Sequence, residues 1–413
     1  MTQVNHSDNN YKWLVLILGS LTNTLVVAVQ SMSLTVLLPE ITAELNLSLF
    51  QAGVIWGMFS LPGIFSFLLA GSTIDRFGPK RVLIVACSLV GAFGALRGFA
   101  SNFNTMLISV LLLGFFSPFV SISNIKNIGL WFEDHELGIA NGVSSLGMAL
   151  GFFLGSMISA SYISPWVGGW RETFFMYGLV AIAFTIPWSF TRTKSIDNKL
   201  TSKGSSQDLE KVRLKQITRI GNLWLLGLAM LTINGAVQGL LGYLPLYLRD
   251  LGWQATRADS LAASFHLASM VFVIPITLLS DKLGIRRRIV IITAAIAALS
   301  IGLTFFLRGN WLWGAVLGAG FARDAMMAIL ISITVQTKGV GKAYAGQATG
   351  FVLIFAGIGS LISPPIGNKL AEIAINVPFL FWAALCAGGV FAVAAIREGQ
   401  KRGDKRVDVN EDR

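Results

Sequence analysis

The sequence predicts an all-α membrane protein: twelve transmembrane helices in two pseudo-symmetric six-helix bundles. Three observations lead there. Hydrophobic residues make up 54% of the chain and charged residues 13%, about half the charge of an ordinary soluble domain, so much of the surface cannot face water. The apolar runs last about 20 residues, the length a helix needs to cross hydrocarbon, where a closed barrel would alternate over about ten. The basic residues sort to one side of the expected turns, and the two halves of the sequence echo each other.

Spans are expected at 13–38, 49–70, 82–101, 104–125, 137–160 and 172–190, then at 221–246, 259–280, 288–307, 311–335, 343–365 and 376–396. The run after Lys12 is too long for the core of a removable signal peptide. Pro165 to Gly169 supply the turn that parts the fifth span from the sixth. The stretch 191–219, rich in Ser, Lys and Arg, reads as a cytoplasmic linker. It divides an amino-terminal six-helix bundle, 1–190, from a carboxy-terminal one, 220–413, that ends in a basic tail. Ser363-Pro364-Pro365 is expected to stop or kink span 11. Cys87 and Cys386 lie inside apolar runs and read as packing residues. His6, His135 and His266 are scattered, so no metal site and no cofactor is expected.

Charge orients the chain. With both termini in the cytoplasm, 25 Lys and Arg fall on the cytoplasmic side and 5 outside, with Arg97 and Arg323 inside spans. Basic loops facing anionic lipid heads account for the net charge of +11, with no need of nucleic acid as a partner. The halves repeat. GSTIDRFGPKRVLI (71–84) aligns with TLLSDKLGIRRRIV (277–290), placing Asp75 on Asp281, Gly78 on Gly284 and Arg81 on Arg287. NGVSSLGMALGFFLGSMIS (141–159) aligns with AGQATGFVLIFAGIGSLIS (345–363), placing Gly142 on Gly346 and Gly155 on Gly359. Parallel six-plus-six repeats suit two halves that rock about a central cavity.

At these residues the chain resembles the major facilitator superfamily, whose loop after span 2 reads roughly G-x-L-x-D-R-x-G-R-K/R. Gly71, Asp75, Arg76, Gly78, Lys80 and Arg81 follow it, while Thr73 and Pro79 depart from it. The second copy keeps Asp281, Gly284 and Arg286 and has Thr277 for the leading glycine. Trp131-Phe132, Glu136-Leu137-Gly138 and Gly169-Trp170-Arg171 are similar to the bacterial organic-anion and nitrate/nitrite-like branches. The resemblance implies a transporter of a bacterial cytoplasmic (inner) membrane, working as a monomer. It also implies that Asp75 latches onto a helix N-terminus of the opposite half, with Arg76, Gly78, Arg81, Asp281, Gly284 and Arg286 in the same gating role. The alternative for these residues is a solvated loop that fixes topology. The glycines of span 5 fit either close helix packing or an antiport-type pattern, though Ser156 stands where that pattern has proline.

Charges inside spans are costly and so mark function. Arg323 lies twelve residues after Trp311, about 18 Å deep along a helix and near the midplane. A fixed guanidinium there suits a carboxylate or similar oxyanion; the alternatives are an internal salt bridge or a gate. Asp324 reads either as the proton-coupling site or as Arg323's permanent partner. His266, seven residues into span 8, is a candidate proton site or substrate donor, or a packing histidine. Arg97 is expected to snorkel from the outer end of span 3. Asn23 and Gln30 share a face of span 1, and Asn234 and Gln238 share a face of span 7. The resemblance puts both spans on the central cavity, which makes the four amides candidate solute contacts. Lys126 is expected to meet lipid heads or a loop carboxylate.

The function expected is secondary transport of a small organic anion, a carboxylate above all, by alternating access, with protons as a candidate coupling ion. One alternative is a neutral or cationic solute, with Arg323 and Asp324 paired internally. Another is a carrier-like receptor or sensor. No G-x-x-x-x-G-K-[ST] loop occurs and the intramembrane charges are few, so neither an ATP-driven pump nor an enzyme is expected.

Overall fold

The computed structural model describes residues 6–133, 135–192 and 217–396. Most of the expected linker at 191–219 and the basic tail beyond Ile396 lie outside the described residues. Among the described residues, twelve helices are long and apolar enough to cross a membrane. They are span 1 Asn10–Glu44, span 2 Leu49–Phe67, span 3 Pro79–Phe99, span 4 Phe103–Trp131, span 5 Leu137–Val167 and span 6 Trp170–Phe190. Span 7 Gly221–Asp250, span 8 Ala255–Leu283, span 9 Arg286–Phe306, span 10 Trp311–Gln336, span 11 Tyr344–Leu370 and span 12 Val377–Ala394 follow. No strand occurs among the described residues.

Local chemistry sets the ends. Ser48 and Gln51 form a capping box at the start of span 2, and Asn102 does the same with Thr105 at span 4. Gly78 (φ 83°) and Gly284 (φ 64°) turn the chain between spans 2 and 3 and between spans 8 and 9. Both sit in the left-handed region that a side chain disfavours, which explains why the two loop copies match at glycine. Within the turn expected over Pro165 to Gly169, the chain reverses at Gly168 (φ 110°) and Gly169 (φ 142°).

The second echo has an equally local cause. Span 5 packs on span 1, where a Cβ at Gly155 would press on the Val29 backbone; span 11 packs on span 7, where one at Gly359 would press on the Leu231 backbone. Small residues let these backbones touch, and hydrogen bonds then tie them. Thr24 Oγ1 donates to Gly147 O at 2.7 Å, and Asn234 Nδ2 donates to Ala356 O at 3.0 Å and to Ser360 Oγ at 2.7 Å.

Let the basic face be the one carrying the loops around Arg76–Arg81 and Arg286–Arg288, and the far face its opposite. Three side-chain hydrogen bonds join the first six spans to the last six among the described residues. Asn368 Nδ2 donates to Leu49 O at 3.0 Å, Trp56 Nε1 to Gln238 O at 2.8 Å, and Ser161 Oγ to Asp259 Oδ2 at 2.5 Å. The first and last lie at helix ends on the far face, and the Trp56 bond lies between there and the middle. Toward the basic face, a Cβ at Gly142 of span 5 or Gly346 of span 11 would meet nothing within 4 Å. The side-chain hydrogen bonds that join the two sets of six spans among the described residues therefore lie on the far-face side.

Pro364 and Pro365 neither stop span 11 nor end it, for the helix runs on to Leu370. Proline has no N–H, so the carbonyls one turn earlier, Ser360 and Leu361, lose their helical donors. Those two carbonyls point at Gly57 of span 2, where an added Cβ would stand 3.1 Å and 2.6 Å from them. The prolines are tolerated because a neighbouring helix comes close enough to cover what they leave open.

Candidate functional site

Span 10 is not one helix. It runs Trp311–Gly320, breaks at Phe321 and Ala322, and restarts as Arg323–Gln336. The break falls where Gly320 crosses the backbone of Phe265 in span 8 with no room for a Cβ. A 14-residue helix therefore begins in mid-membrane, with Arg323 and Asp324 in its first turn. Asp324 suits a helix N-terminus. Its N–H donates to Ser269 Oγ at 3.0 Å, Ser269 Oγ donates back to Oδ2 at 2.7 Å, and Arg323 Nη1 donates to Oδ1 at 2.5 Å.

Arg323 is less satisfied than its neighbour. Of five donors, Nη1 is spent on Asp324, while Nε is buried with no hydrogen-bond partner among the described residues. Its side chain is 18% exposed and that of Asp324 31%. His266, one helical turn before Ser269, is buried between Phe265 and Phe152, the latter contributed by span 5 at 5.7 Å between ring centroids. Its Nε2 also lacks a partner. Arg323, Asp324 and His266 thus form one cluster between spans 8 and 10, reached from span 5 by Phe152.

The amides separate. Asn23 is buried, giving Nδ2 to Ser144 Oγ at 3.0 Å and taking Asn124 Nδ2 at 2.9 Å, so it binds spans 1, 4 and 5. Gln30 is buried too, with Oε1 held by Arg97 Nη2 at 3.1 Å and Nε2 on Tyr177 O at 3.4 Å. Both stand inside the first six spans and outside the Arg323 cluster. Asn234 ties span 7 to span 11, as above. Gln238, half-buried, offers its carbonyl to Trp56, and its side chain has no hydrogen bond among the described residues.

Arg97 does not snorkel. It is 0% exposed, with Nη1 on Gln30 O at 2.9 Å, Nε on Gly94 O at 3.1 Å and the Phe174 ring 4.0 Å away. Carbonyls and a ring face replace water around the ion. In the loop after span 2, Asp75 pairs with Lys126 of span 4 and Arg76 lies over Phe77 at 5.2 Å. In the second copy Asp281 pairs with Arg286 at 2.7 Å, and Arg286 also reaches Gln336. Both carboxylates therefore bond within their own set of six spans. A cavity of about 360 Å³ between spans 2, 3 and 4 is lined by Val85, Leu89, Phe116 and Phe119, with Arg81 at its edge; it is apolar and remote from Arg323.

Span 8 starts at Ala255, earlier than expected, which brings Asp259 inside the helix near its far-face end and buries it completely. The apolar run alone placed Asp259 on the span's edge.

Comparison with known proteins follows from this geometry. A family model described as Major Facilitator Superfamily matches residues 20–364. The probable sulfoacetate transporter SauU of Cupriavidus necator is 26% identical, with 88% of this chain and 89% of that protein covered. The probable nitrate/nitrite antiporter NarK1 of Thermus thermophilus is also 26% identical, over 85% of this chain and 84% of that one. Among solved structures, a bacterial homolog to the human lysosomal transporter Spinster, in an inward-facing conformation, superposes with a TM-score of 0.73 at 15% identity. It covers 93% of this chain and 92% of that chain, which shows a shared fold.

Proposed function

The chain belongs to the Major Facilitator Superfamily, and from that premise we propose that it carries a small organic anion, recognised through a carboxylate or similar oxyanion, past Arg323. That it is an integral membrane protein and a secondary transporter follows from the family. The observation that carries the finer reading is the state of Arg323. One donor is spent on Asp324, and the buried Nε has no partner. The edge formed by Nε and an Nη is the one that takes a carboxylate bidentately. The helix that begins at Arg323 adds its N-terminal partial charge. His266 is the next candidate donor, with Nε2 unpartnered. Gln238, whose carbonyl bonds Trp56 across the two halves, offers an amide with no hydrogen bond among the described residues. Sulfoacetate and nitrate, named for two relatives, are both anions.

An anion arriving at Arg323 meets Asp324 as well. A proton on Asp324 would remove that repulsion, which makes proton symport the coupling we propose. The excess of basic residues on one face supports a cytoplasmic placement of that face, and on this reading the conformation opens inward with both termini inside. In that state the loop carboxylates Asp75 and Asp281 are disengaged from the opposite half, as a latch for the other state requires.

One observation favours a second reading: the 2.5 Å pairing of Arg323 with Asp324 leaves the pair neutral, as a carrier of a neutral or cationic solute would need. Uptake into proteoliposomes with anionic, neutral and cationic solutes separates the two. Arg323→Gln is expected to lower anion uptake at least tenfold, a loss of about 1.4 kcal/mol or more. A sugar or cation carried without competition from any anion would refute the anion reading. For coupling, uptake is compared at fixed membrane potential with and without a pH gradient. Equal stimulation of the native protein and of Asp324→Asn removes Asp324 as the sole proton site.

A further inference from the structure

Asp259 lies five residues into the helix of span 8, about 6 Å below its far-face end. It is 0% exposed. Oδ2 accepts the Ser161 hydroxyl from span 5 at 2.5 Å, while Oδ1 is buried with no partner. Charged neighbours come from two further helices: Glu40 at the end of span 1 and Arg249 at the end of span 7. Glu40 accepts the Ser164 hydroxyl at 2.8 Å, and Arg249 leaves Nε and Nη2 buried and unbonded. On its own helix, Arg257 turns away to Asn310 and to the Trp253 ring 4.1 Å off. Two carboxyls and one guanidinium are thus enclosed where spans 5 and 8 meet, in one of the contacts that close the far face.

We infer that Asp259 is a proton-binding site whose occupancy seals the far face between spans 5 and 8. An ionised carboxylate asks for several donors, and among the described residues this one is met by Ser161 alone, with Oδ1 unmet. A protonated carboxyl fits the same contacts. Parting of spans 5 and 8 returns Asp259 to water, where it ionises. Closure therefore takes up one proton from water on the far face, and opening returns it. The sign follows: the sealed state binds the extra proton, so it dominates at low pH and gives way as pH rises, by up to about tenfold in the open-to-sealed ratio per pH unit. Arg249 favours the charged carboxylate, and Glu40 opposes it, because its own charge repels a second carboxylate. Such a seal acts on any solute and is independent of what Arg323 recognises.

The test uses the full chain in nanodiscs without solute, spin-labelled at Trp166 and Thr256 on either side of the contact, with the distance followed across about pH 5 to 9. The native protein is expected to pass from a short to a long distance as pH rises, with a slope of one proton. Asp259→Asn should stay short throughout, and Glu372→Gln, at an exposed far-face acid outside the cluster, should keep the native response. A response that survives in Asp259→Asn, or that vanishes in Glu372→Gln alone, overturns the assignment, as does a native distance that ignores pH. Should Asp259→Asn fail to fold, Glu40→Gln decides. A midpoint moved to lower pH supports the site, and an unmoved midpoint overturns it.

Discussion

Gly57→Ala should loosen the sealed far face without touching any charged group. The added Cβ would stand 2.6 Å from Leu361 O and 3.1 Å from Ser360 O. Ordinary contact begins at 3.4 Å, so span 2 must retreat from span 11 by about 0.8 Å, the difference between 3.4 and 2.6. The carbonyls cannot yield easily, because they belong to the turn that Pro364 and Pro365 close. Retreat strains the neighbouring bonds from Trp56 to Gln238 O at 2.8 Å and from Asn368 to Leu49 O at 3.0 Å. Overpacking of this kind costs about 1–3 kcal/mol. The cost falls on the sealed state alone, since opening separates the two helices. A bias of that size multiplies the open-to-sealed ratio by about 5 to 150.

Spin labels at Phe50 and Glu372, both exposed beside this contact, report the ratio as a distance distribution. Gly142→Ala is the control, because nothing lies within 4 Å of its Cβ. The expected result is a larger long-distance population in Gly57→Ala and none in the control. Identical distributions in the two variants, with melting temperatures unchanged, would refute the claim that this glycine sets the approach of spans 2 and 11.

Two further outcomes follow from groups outside the solute path. Arg97→Lys keeps the charge but cannot fork onto both oxygens of Gln30, so stability should fall on the order of 3 kcal/mol, read as a drop of several degrees in melting temperature; Arg97→Leu, which strands both oxygens, should fall further. An unchanged melt in either variant would deny Arg97 its place as the tie between spans 1 and 3. At the basic face, the Lys12 ammonium donates to Glu136 at 2.5 Å and holds its carboxyl below the usual carboxylate value. The stabilisation is thus present above the unfolded value of about 4.3 and lost as pH falls through the lower folded value. Glu136→Gln should melt lower than the native protein near neutrality and converge with it in acid; curves that stay parallel across the range would contradict the pairing.

Spans and their repeats were legible because each is a local property. Apolar length is written along the chain, and Gly78 and Gly284 declare a left-handed turn at their own positions. Burial of polar groups was not legible, because it depends on which helix arrives from elsewhere. Asp259 reads as an edge residue until Ser161 of span 5 covers it. Arg97 reads as a snorkelling cation until Gln30 and Phe174 enclose it. The break in span 10 was hidden for the same reason: Gly320 interrupts the helix where the backbone of Phe265 crosses, and nothing in an apolar run announces a crossing. Nor was it legible that the two prolines of span 11 leave the helix running on, since that rests on Gly57 in a helix some three hundred residues earlier.

Depth in the membrane is therefore a weak guide to which charge does the transporting, and the use of hydrogen-bond donors and acceptors is a better one. Arg97 and Arg323 are both intramembrane arginines. Arg97 places each of its three nitrogens on a main-chain or side-chain oxygen of the first six spans and lays its plane on a ring. Any new ligand would have to displace all of these, so Arg97 is fixed structure. Arg323 places one nitrogen on an acid and keeps Nε buried and unmet. The acids differ in what they depend on. Asp324 has Arg323, Ser269 and a helix N-terminus to sustain a charge, and an anion that takes Arg323 from it removes one of these, whereas Asp259 has Ser161 alone. A group whose partners are complete resists change through the cycle. A group left short at an interface that opens and shuts changes state with that interface, and Arg323 and Asp259 are the two left short in this way.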